Sequence, residues 1–163
     1  MEFEQIVYTY QEPLYWHLRR LVVRHEDAED LLQEVFVQAY RSIGQLRDES
    51  ALRPWLYRIA TNAAYRHLRR HRETPLSTEE VSKVLLDRLE SSSYVDYDEA
   101  SGVRFQQALL TLSEQQRAVF TMRYYDELSY GEIAEVVGTS EASLRVSYHN
   151  ACNRIKAYLT NGG

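Results

Sequence analysis

The stretch Ser129-Tyr130-Gly131-Glu132-Ile133-Ala134-Glu135-Val136-Val137-Gly138-Thr139-Ser140-Glu141-Ala142-Ser143-Leu144-Arg145-Val146 constrains this chain more than any other. It reads as a short helix, a tight turn and a second helix. Ile133, Ala134 and Val137 set an apolar face at helical spacing. Gly138 offers the left-handed backbone that ends a helix. Ser140 is placed to cap the next one, whose apolar positions Leu144, Tyr148, Ala151, Ile155 and Leu159 recur at i, i+4, i+7, i+11 and i+15. Ala134 is small enough to let the two helices cross closely. That is the geometry by which a helix-turn-helix presents its second helix to a DNA groove.

The rest of the chain also reads as helix, since period-2 runs are absent and Pro13, Pro54 and Pro75 fall near segment starts or breaks. A first helix is expected over about residues 3–25, with Pro13 as a candidate interruption. A second, about residues 26–43, carries the stripe Ala28, Leu31, Leu32, Val35, Phe36, Ala39 and Tyr40, and Gly44 is expected to close it. Pro54 opens a third over residues 54–72, with the stripe Leu56, Ile59, Ala60, Ala63, Ala64, His67 and Leu68. Trp55 is read as a core residue. Helicity resumes from about Gly102, and Ser113 with Gln116 forms a capping-box pattern for a helix through Tyr124.

Charge is segregated along this layout. The net charge of −5 argues on its face against a DNA binder. Residues 73–101, however, hold eight acids against Lys83 and Arg88, a balance of −6, which leaves the remainder at about +1. That segment, with Ser91-Ser92-Ser93 and one short helix over residues 78–89, reads as a partly ordered linker. The expected fold is all-α: an N-terminal helical bundle (residues 1–72) and a C-terminal helix-turn-helix domain (102–163) joined by the acidic linker (73–101). No apolar run reaches the roughly 18 residues of a membrane span, the start Met1-Glu2-Phe3-Glu4 is unlike a signal peptide, and Cys152 alone allows no internal disulfide. A cytoplasmic protein without membrane insertion is expected.

Two surfaces stand out. On the helix of residues 54–72, Arg58, Asn62, Tyr65, Arg66 and Arg69 lie opposite the apolar stripe. Guanidinium groups hold phosphates, while ring and amide groups stack on or hydrogen-bond to exposed bases. A solvated basic helix fits the pattern about equally well. The helix of residues 26–43 is acidic in its first half, where carboxylates suit the positive end of the helix dipole. Asp27, Asp30 and Glu34 fall near one face, but no Glu-x-x-His pair or second carboxylate helix supports a metal there. His149 and Cys152 lack further ligands, and no phosphate loop or nucleophile motif is present. No cofactor, metal or catalysis is called for.

Four motifs together resemble one family. Asp27-Ala28-Glu29-Asp30-Leu31-Leu32-Gln33-Glu34-Val35-Phe36 is similar to the polymerase-binding helix of sigma-70 initiation factors. Trp55-Leu56-Tyr57-Arg58-Ile59-Ala60-Thr61-Asn62 resembles the next helix in the extracytoplasmic-function (ECF) group. Leu112-Ser113-Glu114-Gln115-Gln116-Arg117 and the segment from Tyr124 to Ala134 resemble the family's fourth region. The resemblance implies docking on the clamp coiled coil of the largest subunit of core RNA polymerase through Asp30, Gln33, Glu34, Val37 and Gln38. It implies that the loop of Arg47, Asp48 and Ser50 captures a flipped base of the −10 element, with Arg58, Asn62, Tyr65, Arg66 and Arg69 along the melted strand. The helix from Ser140 would read the −35 element through Ser140, Ser143, Arg145, Val146, His149, Asn150 and Arg154. Promoter DNA, core polymerase and an anti-sigma factor are the implied partners. The chain departs from the family pattern in one respect: Arg145 stands alone until Arg154, which predicts weak intrinsic duplex affinity. A stand-alone dimeric helix-turn-helix regulator, the alternative, leaves the first two motifs unexplained.

Overall fold

A computed structural model describes residues 2–71 and 99–161. The described residues form seven α-helices and two short 3-10 turns, with no strand among them. α1 (Phe3–Val22), α2 (His25–Ser42) and α3 (Leu52–Arg70) make one group. α4 (Glu99–Leu109), α5 (Glu114–Tyr124), α6 (Tyr130–Val137) and α7 (Glu141–Thr160) make the other. Most of the acidic linker and its expected short helix over residues 78–89 lie outside the described residues. α4 begins at Glu99, three residues ahead of the expected start.

Local signals explain most of the helix ends. Ser113 and Ser129 each complete a capping box, with Gln116 and Glu132 as the reciprocal partners. Gly138 ends α6 at φ 77°, and Ser140 caps α7 by accepting from the Ser143 amide at 3.1 Å. Pro13 does not interrupt α1, because the carbonyl it leaves unpaired, that of the exposed Thr9, can turn to solvent. Gly44 is not a left-handed cap; α2 stops at Ser42 and tightens into a 3-10 turn, Ile43–Gln45, instead. α1 ends earlier than expected, at Val22. The backbone then reverses at Val23, at φ 75° and ψ −49°, where the Arg24 amide donates to the Val22 carbonyl in a γ-turn. The buried Arg19 guanidinium braces that turn by donating to the Val23 carbonyl at 2.6 Å.

Packing crosses from one group to the other. The larger core joins Leu14, Leu18 and Leu21 of α1, Val35 of α2 and Leu56 and Tyr57 of α3 to Val119 and Met122 of α5, Ile133 of α6 and Leu144 of α7. α6 lies on α3, and α5 lies on α1. A smaller core of Ala108, Leu109, Leu112, Phe120, Ala151 and Ile155 seals α4 and α5 against α7. Each fully buried leucine contributes about 1.5–3 kcal/mol, so the shared core binds the groups closely. Polar contacts follow the same seam. Arg117 of α5 donates to the Leu21 carbonyl at 3.1 Å, and the Arg20 guanidinium lies 3.5 Å above the Tyr125 ring.

Candidate functional site

α2 buries Ala28, Leu31, Val35 and Ala39 and so turns its remaining face outward. Asp30, Gln33, Glu34, Val37 and Gln38 come together there with Arg41 and Ser42 around a shallow concavity. Val37, 49% exposed, is an apolar spot within this polar ring. Tyr40, expected in the stripe, is 66% exposed and meets Phe3 in a T-shaped contact, with ring centres 5.2 Å apart. This surface offers carboxylates, amides and one branched apolar side chain, a combination suited to a protein partner.

A second groove begins where the first ends. Gln38, Ser42, Gln45, Trp55, Arg58, Ile59, Asn62 and Arg66 line it between α2 and α3. Gln38 belongs to both surfaces, so they are continuous. Trp55, expected in the core, is half-buried: it packs against the larger core and also lines the groove, while Tyr57 is buried outright at 1% exposure. Arg58 and Asn62 are exposed, and Arg66 reaches Glu34 at 3.6 Å. Arg69 is exposed in the last turn of α3. Tyr65 points elsewhere, beside Glu114 and Arg117 of α5. Its hydroxyl is buried with no hydrogen-bond partner among the described residues, and burial pushes its pKa up to about 12. The structure thus brings Arg58, Asn62 and Arg66 together and separates Tyr65 from them.

The loop before α3 is exposed at Arg47, Asp48 and Ser50. Asp48 caps the 3-10 turn Glu49–Ala51, accepting from the Ser50 amide at 3.1 Å and the Ser50 hydroxyl at 2.8 Å. These bonds hold its carboxyl below the usual range. The result is a short preformed turn directly ahead of α3 in the chain.

The third surface is the outer face of α7. Leu144, Ala151 and Ile155 anchor the helix, leaving Ser143, Arg145, Val146, His149, Asn150 and Arg154 exposed. Ser140 and Ser143 are engaged in the cap, their hydroxyls 3.0 Å apart. Arg145 lies over the Tyr130 ring, 4.9 Å from its centre, and 3.9 Å from Glu141. His149 meets Asn153 at 3.2 Å. Val146, 61% exposed, offers an apolar contact of the kind a thymine methyl accepts. Tyr130, absent from the expected set, is the platform that holds Arg145.

The seam between the groups carries residues that sequence reasoning missed. His17 is fully buried between Thr61 of α3 at 2.9 Å and Thr121 of α5 at 3.1 Å. Arg53, in the first turn of α3, forms a bidentate pair with Glu132 of α6 at 2.8 and 2.6 Å. The Tyr57 hydroxyl bonds Asp126, whose burial raises its pKa to about 6 against the opposing pull of Arg20. A histidine and a threonine in otherwise apolar stripes are the only sequence signals of this seam. Among the described residues, no group of three or more His, Cys, Asp or Glu side chains converges where a metal ion would bind.

Comparison with known proteins follows the same division. The model of Sigma-70 region 2 matches residues 6–74, and that of Sigma-70 region 4 matches residues 102–155. The RNA polymerase sigma factor YlaC of Bacillus subtilis is 34% identical over 156 residues, covering 93% of this chain and 87% of that protein. The ECF RNA polymerase sigma factor SigM of the same bacterium is 29% identical over 165 residues, covering 99% and 98%. Among solved structures, the sigma factor RpoE of Bartonella quintana, in complex with the anti-sigma factor NepR, superposes with a TM-score of 0.77 at 23% identity. That match covers 97% of this chain and 96% of the other.

Proposed function

The chain belongs to the sigma-70 family of RNA polymerase sigma factors, in its ECF group, and on that premise we propose how its surfaces divide the work of promoter recognition. The α2 face of Asp30, Gln33, Glu34, Val37 and Gln38 docks on the clamp coiled coil of the polymerase's largest subunit. The adjoining groove receives the non-template strand of the −10 element, with Arg58 and Arg66 on phosphates, Asn62 on a base edge, and Trp55 as a stacking wall. The turn of Arg47, Asp48 and Ser50 takes a base flipped out of the stack, a step that costs a few kcal/mol and is repaid by contacts to the extruded base. The outer face of α7 reads the −35 element in the major groove, Arg145 pairing with guanine. Residues 1–72 and 102–163 act as separate promoter readers, and residues 73–101 link them. The chain acts by binding, in the cytoplasm, and performs no reaction of its own. An anti-sigma factor is a further partner, as it is for RpoE, which shares the fold.

One observation carries this reading: the α2/α3 groove places an indole, guanidinium groups and an amide in one channel that is continuous with the α2 docking face. A strand opened beside the clamp would pass directly into it. The stand-alone dimeric regulator is not favoured, because it assigns no role to that channel or to the region 2 match. The test is the affinity of reconstituted holoenzyme for a labelled −10 non-template oligonucleotide. Arg58→Ala and Asn62→Ala each weaken binding about tenfold, the loss of one base or phosphate contact. Unchanged affinity in both variants, with holoenzyme still assembled, sinks the assignment.

A further inference from the structure

We propose that Tyr130 is a positioning residue for base readout by Arg145, its ring holding the guanidinium ready to pair with guanine. This deepens the proposed function and rests on its assignment of α7 to the −35 element. The next cation on α7 after Arg145 is Arg154, about 13 Å further along the helix. Readout by a cation at the start of α7 therefore falls on one arginine. A freely rotating arginine loses, on being immobilised, much of what one bidentate base contact returns. Where that side chain rests before DNA arrives decides how sharply it reads.

Two groups hold Arg145. Its guanidinium lies over the Tyr130 ring, 4.9 Å from the centre, and its Nη2 stands 3.9 Å from Glu141, one turn earlier on α7. Both supports are themselves fixed. Tyr130, the first residue of α6, is half-buried against the larger core and meets Tyr148 of α7 in a T-shaped contact, ring centres 6.4 Å apart. The Arg123 guanidinium lies 4.7 Å from the same ring centre and is tied to the Leu128 carbonyl at 3.0 Å. Glu141 lies beside the first turn of α6, where a Cβ built on Gly131 would stand 3.9 Å from its Oε2. The two supports act on different parts of the guanidinium. Cation–π attraction uses its face, whereas guanine O6 and N7 take the N–H groups along its edge. The ring therefore stays in place while the base contact forms. The Glu141 carboxylate competes for that edge, but both side chains are more than half exposed, and so open an ion pair gives way easily.

The test is the binding of holoenzyme to a promoter and to its single-base −35 variants. The readout is the discrimination ratio at the base pair where Arg145→Ala relaxes the preference. Tyr130→Leu keeps an apolar side chain but no aromatic face, and cuts that ratio about three- to fivefold. Tyr130→Phe keeps the ring and retains the ratio. In an Arg145→Ala background Tyr130→Leu changes the ratio no further, because the coupled partner is gone. A packing role alone would weaken every template by the same factor. A ratio that Tyr130→Leu leaves intact therefore overturns this inference only. So does a ratio lost equally in Tyr130→Phe, which would assign the effect to the hydroxyl. If Arg145→Ala relaxes no position of the −35 element, the inference and the proposed role of α7 fall together.

Discussion

His17 sits where α1, α3 and α5 meet, and its protonation couples the seam to pH. The Thr121 hydroxyl already donates to the Ala118 carbonyl, so it accepts from Nδ1–H, leaving Nε2 to accept from Thr61. Burial, with Arg20 adding to it, lowers the His17 pKa from 6.5 to about 3. The stability tied to its neutral form is complete above pH 6.5 and is lost as pH falls below that value. Asp126 runs the other way: with its pKa raised from 3.8 to about 6, its proton uptake adds stability as pH falls from about 6. Glu132, held down by Arg53, joins the loss only below the ordinary carboxylate range. Between pH 7 and 5 the Asp126 gain offsets only part of the His17 loss in the wild type. Asp126→Asn exposes the His17 effect alone, and urea unfolding should show a loss of about 2 kcal/mol over that interval. His17→Gln leaves Asp126 alone and should gain about 1 kcal/mol on the same acidification. Three superimposable pH profiles would contradict this account of the seam.

At the scale of elements, the turn between α6 and α7 depends on the left-handed backbone of Gly138. Nothing lies within 4 Å of a Cβ built on Gly138, so Gly138→Ala should cost only the left-handed strain, about 1–2 kcal/mol by thermal unfolding. Arg145→Ala should weaken −35 recognition by holoenzyme by about 1–3 kcal/mol and relax the preference at one base pair, read from a set of single-base promoter variants. These elements were legible in the sequence because their signals are local. Ser113, Gly138 and Ser140 each act within three or four residues of their own position. The positions that resisted reading depend on contacts between distant segments. Tyr65 shares a helical face with Arg58 in sequence, yet α5 draws it away from the groove. Trp55 reads as core and does pack against it, but it also lines the α2/α3 channel, which the spacing of α3 alone does not report. The Arg53–Glu132 pair spans 79 positions, and His17–Thr121 spans 104; no helical period reports a partner at that range. Val23 likewise carries no turn signal, because its positive φ is held by Arg19 and not by its own chemistry.

For the whole molecule, the net charge of −5 and the sparse cations of α7 set the terms of DNA binding. The outer face of α7 offers Arg145 and then Arg154, so the free chain should hold a −35 duplex through about two phosphates. Its affinity should change only about tenfold between 50 and 200 mM salt and remain micromolar or weaker, as fluorescence anisotropy would report. A steep slope or nanomolar affinity would contradict that estimate. On the proposed division of surfaces, the same weakness defines the part polymerase plays: a chain docked through α2 would bring two modest readers to one promoter, with linkage supplying affinity that neither reader has alone. The most direct measurement is reconstituted transcription, with core polymerase, the full chain and a library of promoter templates. The account predicts discrete run-off transcripts that require the chain and disappear when the −10 or −35 sequence is scrambled. Failure to stimulate initiation from any template in the library would contradict it.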